Sequence, residues 1–148
     1  MVNRFDPNPI LVKGYERKNM VEILVGKTLS AVNVGSDNEY MEFITIDGEK
    51  YYNFHYQDCC ESVVIVDIIG DLSDLIGHPL LFSEERNSKG YDKQAAMDYD
   101  EAFQWTFYEF ATIKGSVTVR WLGQSNGYYA TSVAFGDEKE FKDVYRRY

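Results

Sequence analysis

Two glycine-bearing junctions in the last third of the chain constrain its fold more than any other feature. Phe103–Ile113, Ser116–Leu122 and Tyr128–Phe135 are rich in aromatic and β-branched residues, and they are joined by Lys114-Gly115 and by Gly123-Gln124-Ser125-Asn126-Gly127. Gly and Asn-Gly tolerate the positive φ angles of tight hairpins, so this spacing predicts three antiparallel strands. Asp47-Gly48-Glu49, set between Tyr40–Ile46 and Tyr51–Tyr56, predicts another hairpin for the same reason. Thr28–Val34 and Leu80–Ser83 read as further strands. Val63–Ile69 is an almost unbroken β-branched run and predicts a central strand buried on both faces.

Helical signals are short. Asn19 caps a predicted turn over Met20–Leu24 that Gly26 ends, and Gly70–Gly77 predicts one or two further turns stopped by Gly77 and Pro79. Asp137 reads as the N-cap of a helix running to the C-terminus. Phe141, Val144, Tyr145 and Tyr148 fall at i, i+3, i+4 and i+7, which gives that helix an apolar stripe. Residues 86–100 are polar and predict a mobile loop, or one carrying a short helix around Gln94–Met97. The expected fold is α+β, a mostly antiparallel sheet or half-barrel of about seven strands with small helices and a C-terminal helix. Residues 1–19 form a polar lead-in, 20–135 a single β-rich ligand-binding domain, and 136–148 the appended helix.

A length of 148 residues suits one domain, and 45% hydrophobic with 26% charged residues is globular composition. Aromatic content of 16% favours strands and also suits stacking sites. The net charge of −9 opposes general nucleic-acid binding, because phosphate must be met by clustered Lys and Arg. The start, Met1 to Pro7, lacks an apolar segment of the secretory kind, and the run Val63–Ile69 is far too short to span a bilayer. No membrane association and a cytoplasmic location are therefore expected.

Several motif fragments carry no chemistry. Gly26-Lys27-Thr28 resembles the end of a phosphate loop, but the glycine required five positions earlier is Val21. His55-Tyr56-Gln57-Asp58-Cys59-Cys60 gathers metal-type ligands, yet zinc sites separate their cysteines by two to four residues. Adjacent cysteines pair only in a strained ring and staple nothing, so one of them is expected to be buried as a small hydrophobe. A thiol–imidazole pair from Cys59 or Cys60 with His55 or His78 lacks a third, orienting group. Asp67, Asp71, Asp74, Glu84 and Glu85 read as a solvated face and cap residues in a chain with 24 acids. No catalytic residue, metal or cofactor is expected, and the chain reads as a binding module.

One constellation points to a ligand. Alternation along Ser116–Leu122 puts Ser116, Thr118, Arg120 and Leu122 on one face and Val117, Val119 and Trp121 on the other. The preceding strand offers Gln104, Thr106 and Tyr108 on one side and Trp105 and Phe107 on the other, and the following turn adds Asn126, Tyr128 and Tyr129. A guanidinium grips phosphate, rings stack on a base, and amides read its edges. The candidate ligand-binding residues are thus Arg120, Asn126, Trp105, Thr106, Tyr108 and Tyr128. The competing reading is a surface arginine paired with a neighbouring acid.

The runs Asp47-Gly48-Glu49-Lys50-Tyr51, Cys59-Cys60-Glu61-Ser62-Val63, Ile69-Gly70-Asp71-Leu72, Trp105–Tyr108, Lys114–Val117, Arg120-Trp121 and Ser125–Tyr129 resemble an uncharacterised domain family found largely in bacteriophages and prophages. The likeness covers roughly residues 26–135. In size and strand content the chain is also similar to the anti-Thoeris sponges, which hold cyclic ADP-ribose isomers or cyclic nucleotides without cleaving them and assemble as dimers or larger oligomers. That resemblance implies a counter-defence protein of the host bacterial cytoplasm, with Arg120 gripping phosphate and a cyclic nucleotide or cyclic ADP-ribose isomer as its partner. The alternative is an acidic phage protein that binds and inhibits a host protein, as a nucleic-acid mimic or enzyme inhibitor. A homo-oligomer, at least a dimer, is expected, with the aromatic C-terminal helix packed across its two-fold axis and dispensable for the sheet.

Overall fold

The computed structural model describes residues 21–87 and 102–145. Within them eight strands form two four-stranded sheets. The first has the order β1 (Leu29–Val34), β2 (Tyr40–Thr45), β3 (Lys50–Phe54), β8 (Ala134–Asp137), and the second β4 (Ser62–Ile69), β7 (Gly115–Ser125), β6 (Ala102–Thr112), β5 (Phe82–Asn87). Every ladder between these strands is antiparallel. Helix α1 (Glu138–Tyr145) follows β8, and short 3-10 turns occupy Val21–Leu24, Ser36–Asn38 and Leu72–Leu75. The described strands form two open sheets and no closed barrel, so the fold class expected from the sequence holds, with one strand more. The lead-in at 1–19, the predicted helix at 94–97 and Tyr148 lie outside the described residues.

The Asp47-Gly48 turn forms as its chemistry requires: Gly48 sits at φ +89°, and Thr45 Oγ1 accepts from the Glu49 N–H at 3.0 Å. The β6–β7 hairpin also forms, in register from Thr112↔Gly115 to Ala102↔Ser125, but Ile113-Lys114 make its turn and Gly115 opens β7 without a positive φ. The second junction differs. After Ser125 the chain leaves the second sheet, and the strand expected over 128–135 shrinks to β8, which pairs with β3 in the other sheet. Gly123 shows why: a Cβ there would stand 2.7 Å from the Thr131 carbonyl oxygen, so the returning segment crosses directly over the β7 backbone.

Val63–Ile69 is not a central strand. β4 lies at the edge of its sheet, paired only with β7, and Val66 and Ile69 are about half exposed. A bulge between Ile65 and Asp67 interrupts its ladder, a usual way to blunt an apolar edge. β4 ends at Gly70, φ +114°, where a Cβ would stand 2.5 Å from the Ser116 carbonyl oxygen. Gly70→Ala is therefore expected to cost about 1–3 kcal/mol through backbone strain and that contact, read as a lower thermal midpoint at unchanged strand circular dichroism.

The inner faces of the two sheets enclose the main core, with Phe43, Tyr108, Phe110, Val119 and Trp121 at 0% exposure. Phe43 meets Phe110 across the gap at 5.2 Å. A second core lies on the outer face of the first sheet, where Phe141 and Val144 of α1 cover Tyr52, Phe54 and Ala134. Asp137 caps that helix as expected: its Oδ1 accepts from the Glu140 N–H at 2.9 Å, and Glu140 reaches back to the Asp137 N–H. Phe141 and Val144 of the apolar stripe of α1 are buried against its own sheet. A short amphipathic helix gains its stability from the nearest apolar face, and Tyr40, Tyr52 and Phe54 provide one.

Candidate functional site

The outer face of the second sheet carries no described element over it, and it holds Arg120. Cross-strand register decides what stands beside it: Phe107↔Arg120, Trp105↔Leu122 and Glu109↔Thr118 between β6 and β7. Arg120 therefore shares its face with Trp105 and Phe107. Its guanidinium lies 4.9 Å from the Trp105 ring centre, and the Trp105 and Phe107 rings are 6.3 Å apart and nearly parallel, at 13°. Arg120 Nη1 also pairs with Asp67 Oδ2 at 3.2 Å, across to the edge strand. Its Nε is shielded from solvent and has no hydrogen-bond partner among the described residues.

Thr106 and Tyr108 lie on the opposite, inner face, which corrects their place among the ligand-binding candidates. They are 2% and 0% exposed, opposite Trp121 and Val119, and the Tyr108 hydroxyl donates to Glu85 at 3.0 Å. Burial above all, then the neighbouring Glu85 carboxylate, holds that phenol well above its ordinary pKa, so it stays un-ionised. Asn126 and Tyr128 stand apart from Arg120 in the turn after β7, where Asn126 Oδ1 accepts from the Tyr128 N–H. Asn126 and Tyr129 line an open cleft of about 290 Å³ with Cys60 and Gln124, while Tyr128 is 82% exposed.

Sequence reasoning missed Arg86, placed in a loop but found on β5 opposite Phe107. It pairs with Glu109 at 3.1 Å and Glu84 at 3.5 Å, and with Phe107, Glu109 and Thr118 it lines a shallow groove of about 170 Å³. The period-two spacing of Glu84 and Arg86 was the available signal for a longer strand.

The residues with metal-type side chains adopt a different role. His55 Nδ1 donates to the Ser132 carbonyl at 2.7 Å and Nε2 lies 2.7 Å from Glu61 Oε2, so both ring nitrogens are occupied. Glu61 also accepts from the Asp58 and Cys59 N–H groups at 2.8 and 3.0 Å. Burial opposes ionisation of Glu61, yet the hydrogen bonds from Cys59, His55 and Asp58 outweigh it and hold its carboxyl at about 2. Glu61 was not singled out from the sequence, since nothing in the spacing announces a buried partner for His55. The pair is the floor of an open cleft of about 340 Å³, with Glu39, Gln57 and Tyr145 on its walls. Cys59 and Cys60 are both exposed, not buried, and are joined as a vicinal disulfide that closes no loop between elements. Among the described residues no three metal-binding side chains gather, and no helix is long and apolar enough to cross a membrane.

The model of one family, a domain of unknown function (DUF7448), matches residues 22–135. No curated protein and no solved structure matches the chain.

Proposed function

The chain belongs to the DUF7448 family of domains of unknown function, and from its geometry we propose that it is a non-catalytic binding module. Its ligand, on this reading, is a cyclic ADP-ribose isomer or related cyclic nucleotide, held on the outer face of the second sheet as a phage counter-defence sponge holds its signal. One observation carries the reading: the partly exposed guanidinium of Arg120 stands over the Trp105 ring, 4.9 Å from its centre. The Arg120 side chain is 34% exposed, so its guanidinium offers donors to an acceptor supplied from outside, such as a phosphate oxygen. The Asp67 carboxylate orients the guanidinium but binds it weakly. Exposed ion pairs are worth about 0–1 kcal/mol, so an anion exchanges for it at little cost. Trp105 and Phe107 supply the flat surfaces on which a base stacks.

Incubation with a cyclic ADP-ribose isomer, followed by heat denaturation, is expected to return the ligand unchanged, and recovery of a cleaved product overturns the reading. Trp105→Ala is expected to weaken binding roughly tenfold or more, since stacking contributes about 1–3 kcal/mol per base. Arg120→Lys keeps the charge but loses the planar donors and is expected to weaken it as well, both by calorimetry. The small volume of the groove on this face, about 170 Å³, favours a second reading, a protein partner gripped by Trp105, Phe107 and Arg120, because small-molecule sites are clefts of about 300–1,000 Å³. A stoichiometric protein from host lysate, with no nucleotide released on heating, selects that alternative.

A further inference from the structure

We propose that Cys59 and Cys60 form a redox-active site: a disulfide that a dithiol reductant opens and a disulfide oxidant closes, and whose state sets the turn between two clefts. Both cysteines are exposed, they are the only two in the chain, and they are joined to each other. The bond ties no element to another, so a stapling role does not account for it. What it does constrain is the Cys59–Cys60 peptide, which lies inside the small ring that the bond makes.

That peptide belongs to the His55–Glu61 network. Its carbonyl, on Cys59, accepts from Gln57 Nε2 at 3.3 Å, and the same amide donates to the Glu61 carbonyl at 2.8 Å. The Cys59 N–H donates to Glu61 Oε1 at 3.0 Å, beside the Asp58 N–H on Oε2 at 2.8 Å. His55 and Glu61 are buried, whereas Asp58, Cys59 and Cys60 are exposed. A reductant therefore reaches the sulfurs directly, while the carboxylate that responds stays shielded. The turn also divides two clefts. His55, Gln57 and Glu61 line one, Cys60 lines the other, and Ser62 lines both.

The exchange balances with a dithiol as reductant. One of its thiolates attacks a cysteine sulfur, which breaks the Cys59–Cys60 bond and forms a mixed disulfide. The other cysteine leaves as a thiolate and takes up a proton. The reductant's second thiolate then displaces the first cysteine, which is protonated in turn, and the reductant departs as a cyclic disulfide. Two electrons and two protons pass to the protein, and a disulfide oxidant reverses the steps. With the ring open, the Cys59–Cys60 peptide regains rotation about the torsions on either side of it. The Cys59 N–H and C=O are then held by single hydrogen bonds, which are individually weak. The reduced turn opens more often, and Glu61 spends less time with its Cys59 donor.

The test is amide hydrogen exchange on the full chain as purified in air, after dithiothreitol, and after reoxidation with oxidised glutathione. Alkylation of the folded protein counts free thiols in each state, with both cysteines expected to react only after dithiothreitol. Exchange at the Asp58 and Cys59 amides is expected to rise about tenfold on reduction and to return on reoxidation. Phe43 and Val119, in the main core, are expected to keep their rates throughout. The double variant Cys59→Ser, Cys60→Ser is expected to exchange at the reduced rate with or without dithiothreitol. Both thiols free before any reductant, a bond that dithiothreitol leaves intact in the folded chain, or unchanged Asp58 and Cys59 exchange after its loss overturns the proposal. So does a serine variant that exchanges like the oxidised protein. None of these readouts needs a ligand, so they stand apart from the binding reading above.

Discussion

Replacing Glu61 with Ala is expected to lower the unfolding free energy by about 3–5 kcal/mol, the range for breaking one partner out of a buried, hydrogen-bonded charge pair. The Glu61 side chain is fully shielded and His55 is 5% exposed. Removing the carboxylate strands the His55 Nε2 and the N–H groups of Asp58 and Cys59, all of which it now satisfies. Glu61→Gln keeps one acceptor oxygen and is expected to fall between wild type and Ala. The midpoint of urea unfolding checks this, with an unchanged denaturant slope showing that the change is one of stability. The same carboxylate makes stability pH-dependent. Its pKa falls from 4.5 to about 2 in the folded chain, so its contribution is present in full above about 4.5 and is lost as pH falls towards 2. Wild type is therefore expected to lose about 3 kcal/mol across that window beyond what Glu61→Ala loses. Parallel acid titrations of the two proteins check this, and equal losses in both sink the idea.

Phe141→Ala is the second large effect, expected to cost about 3–5 kcal/mol. The Phe141 ring stacks on Tyr52 at 4.0 Å and 3°, meets Phe54 edge-on at 5.5 Å, and lies 4.8 Å from Tyr40. Truncation leaves a cavity over the first sheet and removes the helix's main anchor. Lys142→Ala, which breaks only the exposed i,i+4 pair with Glu138, is expected to change stability by less than about 0.5 kcal/mol. Removing residues 137–148 strips Tyr52 and Phe54 of their cover, so the sheet signal is expected to weaken with it. An intact sheet after that deletion would show that the second core contributes little.

Local chemistry was legible wherever a few neighbouring residues decide the outcome. The Asp47-Gly48 turn, the Asp137 cap and the Phe141, Val144, Tyr145 stripe all follow from side-chain geometry within one or two turns of chain. The two faces of β6 and β7 were equally readable, because the period of an extended strand is two. Which face of β6 meets which face of β7 was not. Thr106 and Tyr108 went into the candidate site with Arg120, and register sent them into the core while bringing Phe107 beside the guanidinium. Arg86 came to the same row only through the β5–β6 pairing.

The same division separates what the sequence by itself determined from what only the tertiary structure decided. Alternation, turn glycines and caps set the antiparallel strands and the terminal helix, since each rests on contacts a few residues apart. The split into two sheets, the edge position of β4 and the docking of α1 came from elsewhere. So did the His55–Glu61 clamp and the face shared by Arg120, Trp105 and Phe107. Each of these depends on register and on which apolar faces bury each other. A slip of one residue in the pairing exchanges every inward side chain for an outward one, while the pattern along a single strand stays the same.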